Sequence, residues 1–233
     1  MSLEQTLRPH PSLSDQAFDA IADALARGEI QPGSRIKEAV IARNLGISRG
    51  TLREAIRRLE THGVVERHQN LGSSVVQLTE EDLDDLFQVR EVLEGRAAGL
   101  AASAVTDADI DELQTMLARH SATTIRTGSY KQLSSDDDFH IFIIRKSNSP
   151  RLFRALGTEL YLQIRLYRFR SASRPGRSEM ALAEHRDIVA ALAERNSARA
   201  EEAMRTHVAN ARKNLLWRDV TATSDDASRS VPA

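Results

Sequence analysis

Apolar positions in the first third of the chain recur at helical spacing and then change period. Phe18, Ile21 and Leu25 mark an amphipathic helix, opened by Ser14 as N-cap and closed at Gly28. Pro32-Gly33 marks a turn. Val40, Ile41 and Leu45 then form a short apolar face, Gly46 supplies a left-handed turn residue, and Ser48 caps a further helix whose Leu52, Ile56 and Leu59 point inward. Two short helices joined through a glycine turn are the outline of a helix-turn-helix. Beyond Gly63 the period drops towards alternation: Val64-Val65, the turn-prone Gln69-Asn70-Leu71-Gly72, then Val75-Val76. This pattern predicts a small β-hairpin, or wing.

From Thr79, with Asp82 placed to complete a capping box, the pattern becomes helical throughout. Helices are predicted over 80–103, 107–125, 130–147, 151–172, 178–194 and 198–217, with breaks at Thr106, Gly128, Asn148-Ser149-Pro150, Pro175-Gly176 and Asn196-Ser197. Amphipathic helices with short connections predict an antiparallel bundle. The expected fold is mainly α: a flexible N-terminus over 1–11, a winged helix-turn-helix over 12–78, an all-helical unit over 79–217, and a small, polar, disordered tail over 218–233.

Composition narrows the function classes. The absence of cysteine excludes a disulfide framework, a thiolate nucleophile and a Cys-ligated zinc site. No apolar run has the length of a membrane span and no signal-peptide core is present, so a cytoplasmic protein with no membrane partner is expected. The net charge of -1 conceals a local excess: residues 34–68 hold Arg35, Lys37, Arg43, Arg49, Arg53, Arg57, Arg58 and Arg67 against Glu38, Glu54, Glu60 and Glu66, 8 minus 4, or +4. Arg49, Arg53 and Arg57 recur every fourth residue, opposite Leu52, Ile56 and Leu59. A planar guanidinium can bind a guanine edge or a phosphate through two bonds, and the helix N-terminus adds backbone donors. An arginine stripe alone suits a solvated helix face better than a binding site; its position between a helix-turn and a glycine-tipped wing reverses that and favours DNA.

The run Pro32-Gly33-Ser34-Arg35-Ile36-Lys37-Glu38, followed by Leu45-Gly46-Ile47-Ser48-Arg49-Gly50-Thr51-Leu52-Arg53-Glu54-Ala55-Ile56-Arg57-Arg58-Leu59 and Gly63-Val64-Val65, resembles the winged helix-turn-helix of GntR-type bacterial transcription regulators. The resemblance implies that Arg49 and Arg53 contact DNA and that the wing, with Gly72 allowing close backbone approach, reaches a neighbouring groove. Arg35, Ser48, Arg49, Thr51, Arg53 and Gly72 form the expected DNA-binding set. Ala39 stands where some members carry another DNA-contacting arginine, so operator sequence does not transfer.

In the C-terminal half, Asp136 and His140 are one helical turn apart, and His185 and His207 lie on two later helices. One carboxylate and three imidazoles make an N/O donor set for a divalent ion, but by spacing alone three unrelated histidines are the better reading. Asp136-x-x-Phe139-His140-x-x-Ile143, Glu184-His185-x-x-Ile188-x-x-Ala191 and Ala203-Met204-x-x-His207-Val208 are similar to the FCD effector domain of the FadR-like branch; Val89-Arg90-x-x-Leu93-Glu94, with Ala97, Ala98, Ala101 and Ala102, is similar to its first helix. The resemblance implies a divalent metal, zinc before nickel or manganese, held by Asp136, His140, His185 and His207 beside a cavity for a small ligand. It further implies a homodimer on a pseudo-palindromic double-stranded operator, acting as a repressor released by a small organic acid. Arg90, amid Leu86, Val89, Leu93 and Ala97, would hold the carboxylate effector, although a surface salt bridge to Glu94 is the competing reading. Arg165 and Arg168 could line the same cavity or serve structure alone.

Two other function classes compete with this reading. An Asp/His₃ metal with open positions could activate water in a hydrolase. The residues three before His140, His185 and His207 are Asp137, Leu182 and Met204, so neither His-Glu-x-x-His nor Glu-x-x-His is present. A regulator rather than an enzyme is therefore expected. The other alternative is a ligand-free helical interaction domain on a DNA anchor.

Overall fold

The computed structural model describes residues 11–69, 71–127, 138–172 and 176–216, with 123–127 and 168–172 described by backbone alone. The chain begins with α1 (Leu13–Ala26), α2 (Glu38–Leu45) and α3 (Arg49–Thr61), and continues into the antiparallel pair β1 (Val65–His68) and β2 (Gly72–Val75). Val65 pairs with Val75 and His68 with Gly72, which places the predicted turn at the hairpin tip. A bridge from Arg35 to Ser74 ties the segment before α2 to the wing.

Local chemistry sets these boundaries. The N-cap of α1 is Ser12 rather than Ser14: its hydroxyl accepts from the Asp15 amide while the Asp15 carboxylate accepts from the Ser12 amide, and Ser14 is buried. Gly46 closes α2 in the left-handed conformation, and the Ser48 hydroxyl caps α3 by accepting from the Thr51 amide. Leu52, Ile56 and Leu59 are fully buried, each contributing about 1.5–3 kcal/mol of transfer free energy. The α2 face differs from expectation. Val40 and Leu45 are exposed and Ala42 is the buried residue, because this short helix meets α3 along a single small contact.

The bundle consists of α4 (Glu80–Ala102), α5 (Asp107–Thr127), α6 (Phe139–Lys146), α7 (Pro150–Arg154), α8 (Tyr161–Ala172), α9 (Arg177–Ala193) and α10 (Ser197–Leu216). Thr79 and Asp82 form the predicted capping box on α4. α10 packs chiefly on α4 and on α9, α5 lies on α9, and α6 lies on α4. Two expectations change. Of the helix predicted over 130–147, α6 begins at Phe139, where Asp138 is extended and caps it through the amides of His140 and Ile141; residues 128–137, Gly128 and Asp136 among them, lie outside the described residues. The helix predicted over 151–172 is interrupted by a π turn, Ala155–Glu159, in which the Leu160 amide donates to the Ala155 carbonyl at 2.9 Å. Val89, expected among the apolar positions around Arg90, is exposed.

Candidate metal centre and nucleic-acid face

His140 on α6, His185 on α9 and His207 on α10 converge in the bundle interior, with one nitrogen of each ring within 4.8 Å of the others. They are 1%, 1% and 4% exposed. His140 Nδ1 donates to Glu94 Oε2 at 2.6 Å and His207 Nδ1 donates to Glu184 Oε2 at 2.7 Å. A carboxylate can only accept, so these bonds place the proton on Nδ1 and direct the Nε2 lone pair of both rings inward. His185 Nε2 lies 3.3 Å from His207 Nε2, and the His185 ring stacks on Phe139 at a centroid distance of 4.2 Å. Two nitrogens bound to one tetrahedral zinc stand about 3.3 Å apart. The donor chemistry and the spacing therefore fit a divalent cation. Of the four predicted ligands the structure brings together the three histidines; the fourth, Asp136, is outside the described residues.

The hydropathy pattern does not reveal how two glutamates serve the centre. Glu94, expected only as a surface partner for Arg90, is 1% exposed and bridges the Arg90 Nε, 2.8 Å from Oε1, to His140. The Arg90–Glu94 pair exists, but inside the bundle, with the guanidinium 4.5 Å from the centre of the Phe87 ring. Glu184 likewise bridges Arg177, 4% exposed and 2.7 Å away, to His207. Burial raises the Glu184 carboxyl pKa, but hydrogen bonds from His207 and Arg177, with their charges, outweigh it and hold the group at about 2. Burial lowers the His207 pKa, aided by the charges of Arg177 and Arg90 and opposed by Glu184, which favours the neutral imidazole that a metal needs. Arg165 points elsewhere, to Asp23 of α1 at 2.8 Å, and the Arg168 side chain is outside the description.

At the other end, Arg49, Arg53 and Arg57 stand exposed on α3, with Ser48 and Thr51 at its N-terminus sharing a 2.8 Å hydroxyl contact. Arg53 Nε is 3.2 Å from Glu38 of α2. Arg35 donates to the Leu71 carbonyl at 2.5 Å, bracing the wing tip, where a side chain at Gly72 would meet nothing within 4 Å. Arg58 is turned away: it pairs with Asp15 at 2.6 Å and lies over Phe18, holding α3 to α1. The exposed basic face is thus narrower than the charge count implies.

Residues 13–75 match the model of the bacterial regulatory proteins of the gntR family, and residues 85–210 match that of the FCD domain. This chain belongs to the GntR family and carries an FCD domain. A protein from Paenarthrobacter nicotinovorans named "Probable D-xylose utilization operon transcriptional repressor" is 30% identical over 203 residues, 85% of this chain and 86% of that protein. The HTH-type transcriptional regulator YdhC of Bacillus subtilis is 29% identical over 198 residues, covering 83% and 84%. Among solved structures, a GntR-type regulator from Rhodococcus sp. RHA1 superposes with a TM-score of 0.72 at 25% identity, covering 89% of this GntR chain and 100% of that one. E. coli McbR/YncC shares the fold, with a TM-score of 0.77 at 22% identity over 88% of this chain and 98% of that one.

Proposed function

We propose that this GntR-family chain is a cytoplasmic, homodimeric transcriptional repressor. Arg35, Ser48, Arg49, Thr51, Arg53 and Gly72 meet a pseudo-palindromic operator, with 12–78 as the DNA-binding unit and 79–217 as the sensor. A divalent ion, zinc before nickel or manganese, is held by His140, His185, His207 and Asp136, and a small organic carboxylate binds beside it with Arg90 as its cationic partner. The observation that carries this reading is the 3.3 Å approach of two buried imidazole nitrogens, each presented by a helix of the bundle, with a third imidazole beside them. The relatives reported above, one named as an HTH-type transcriptional regulator and one as a probable transcriptional repressor, support the regulatory role.

The ion supplies a Lewis-acidic position for an anion. The residues of the chain do the rest: Glu94 and Glu184 fix the ring tautomers, Phe139 covers His185, and Arg90 adds charge near the centre. Coupling to DNA requires that effector and operator prefer different states of the protein, and an ordinary coupling of about 1–3 kcal/mol changes affinity roughly 5- to 150-fold. The test is DNA-binding titration of the metal-loaded protein on an operator obtained by selection, with a panel of small carboxylic acids. A hit lowers operator affinity within that range in wild type and does nothing in Arg90→Ala. A full panel without effect on operator affinity contradicts the effector assignment.

A further inference from the structure

Among the described residues the recognition unit meets the helical bundle along α8 and the turn before it, and that turn carries one residue more than an α-helix needs. α8 and the turn before it reach the N-terminal unit at four places. The Thr158 carbonyl lies 3.0 Å from His62 Nδ1, and Gln163 Nε2 donates to the His62 carbonyl at 3.3 Å, just past the end of α3. Arg165 pairs with Asp23 of α1. The buried Tyr167 hydroxyl accepts from the Leu78 amide at 2.8 Å and donates to the Val76 carbonyl at 3.5 Å, where the chain leaves the wing. Gly63, with a φ of +65°, lies close beneath this side chain: a Cβ there would come within 2.3 Å of Gln163 Nε2.

The other side of α8 leads to the histidine centre. Leu156 in the π turn and Ile164 in α8 belong to one buried cluster with Ile141 and Ile144 of α6 and Leu86 and Ala97 of α4. Ile141 adjoins His140, and Leu86 and Ala97 flank Arg90 and Glu94 along α4. A shift of α6 against α4 at the centre therefore bears directly on Leu156 and Ile164. The π turn is the element that can respond in a discrete way. Its i→i+5 bond stores one extra residue, and passing that residue along the helix changes the register of α8 by about 100° and 1.5 Å. A change of that size breaks the contacts of Gln163, Arg165 and Tyr167 together, whereas a packed core deforms little in a continuous way.

We propose that the π turn Ala155–Glu159 with α8 is the switch that couples the histidine centre to the recognition helix of the same chain, and that a filled centre favours the docked register seen here. The proposal rests on the metal reading of the centre. Clamping three rings from α6, α9 and α10 fixes α6 on α4, seats Ile141 and Ile144 beneath Leu156, and holds Tyr167 against Val76 and Leu78.

The test is hydrogen–deuterium exchange of the full chain, metal-stripped and with zinc chloride added, on wild type, Tyr167→Phe and a variant with Gly157 deleted. In wild type, zinc slows exchange around the centre, in α4 and α6, and also across 62–65, 76–79 and 156–163, by at least about five-fold, the lower end of ordinary coupling. Tyr167→Phe keeps the response at the centre and loses it at 76–79. Deleting Gly157 removes the stored residue, so the centre responds and the joint does not. Slowing at the centre with no change at the joint in wild type overturns the switch and leaves the metal reading intact. A wild-type response at 76–79 in Tyr167→Phe, or at the joint in a folded Gly157 deletion, also overturns it. No slowing anywhere overturns both readings.

Discussion

His185 and His207 face each other through their Nε2 atoms across 3.3 Å, and because the His207 proton sits on Nδ1, the contact needs either a hydrogen from His185 or a cation between them. Two glutamates hold rings around that gap, Glu184 on His207 and Glu94 on the adjacent His140. Glu94→Gln removes a buried charge while leaving Arg90 in place, so it is expected to destabilise the protein by about 3–5 kcal/mol. Glu184→Gln acts on a group at the edge of the centre and is expected to leave a folded protein whose metal affinity falls about 10- to 100-fold. Thermal unfolding and calorimetric metal titration check the two outcomes.

The pH dependence of the metal-stripped protein has a defined sign. His207 is held below its ordinary value, chiefly by burial. Above about pH 6.5 it is neutral in both the folded and unfolded chain; as pH falls below that value the unfolded chain gains a proton that the folded chain refuses, and stability drops. Glu184, ordinarily near 4.5 and held at about 2, adds stability that is present above 4.5 and is lost as pH falls towards 2. A melting-temperature series from pH 8 to 4 is expected to be flat above about 6.5 and to decline below it. In His207→Gln the upper part of that decline disappears.

On the DNA face, Arg49→Ala and Arg53→Ala are expected to abolish specific binding while the fold persists, since a bidentate base contact carries about 1–3 kcal/mol of discrimination. The Arg53–Glu38 pair adds a sharper expectation. An exposed pair is worth up to about 1 kcal/mol, so freeing Arg53 by Glu38→Gln is expected to raise DNA affinity by up to about five-fold and to steepen its salt dependence. Fluorescence anisotropy at several salt concentrations measures both. Unchanged affinity in Arg49→Ala and Arg53→Ala contradicts the assignment of this face.

The joint between the units offers a stability test with no ligand. Gly63→Ala places a methyl group into Gln163 on a backbone that favours glycine, so it is expected to lower the melting temperature. Gly63→Ala combined with Gln163→Ala relieves the overlap and is expected to recover part of the loss; the backbone conformation accounts for the rest.

Much of the N-terminal unit is legible in the sequence because its signals are local: Gly46, the Ser48 cap, and apolar Leu52, Ile56 and Leu59 each act within one or two helical turns. Even there the pattern points to Ser14 as the cap, although Ser12 with Asp15 three residues on carries the capping-box spacing. The histidine centre is legible only through resemblance. His140, His185 and His207 are far apart in the chain, and no periodicity links them. Glu184 adjoins His185 in sequence yet serves His207, because successive residues on a helix point about 100° apart. The π turn leaves no trace in the hydropathy pattern, since one stored residue changes backbone bonding and not the order of apolar side chains.

Whether the bundle of this GntR-family regulator is built around a divalent ion is decided by elemental analysis of protein purified without an affinity tag, beside His140→Ala prepared in the same way. Close to one equivalent of zinc, nickel or manganese per chain is expected in wild type, with loss of that metal in the variant. A wild type that contains no metal, and whose melting temperature does not rise when each of the three ions is added, contradicts the metal centre.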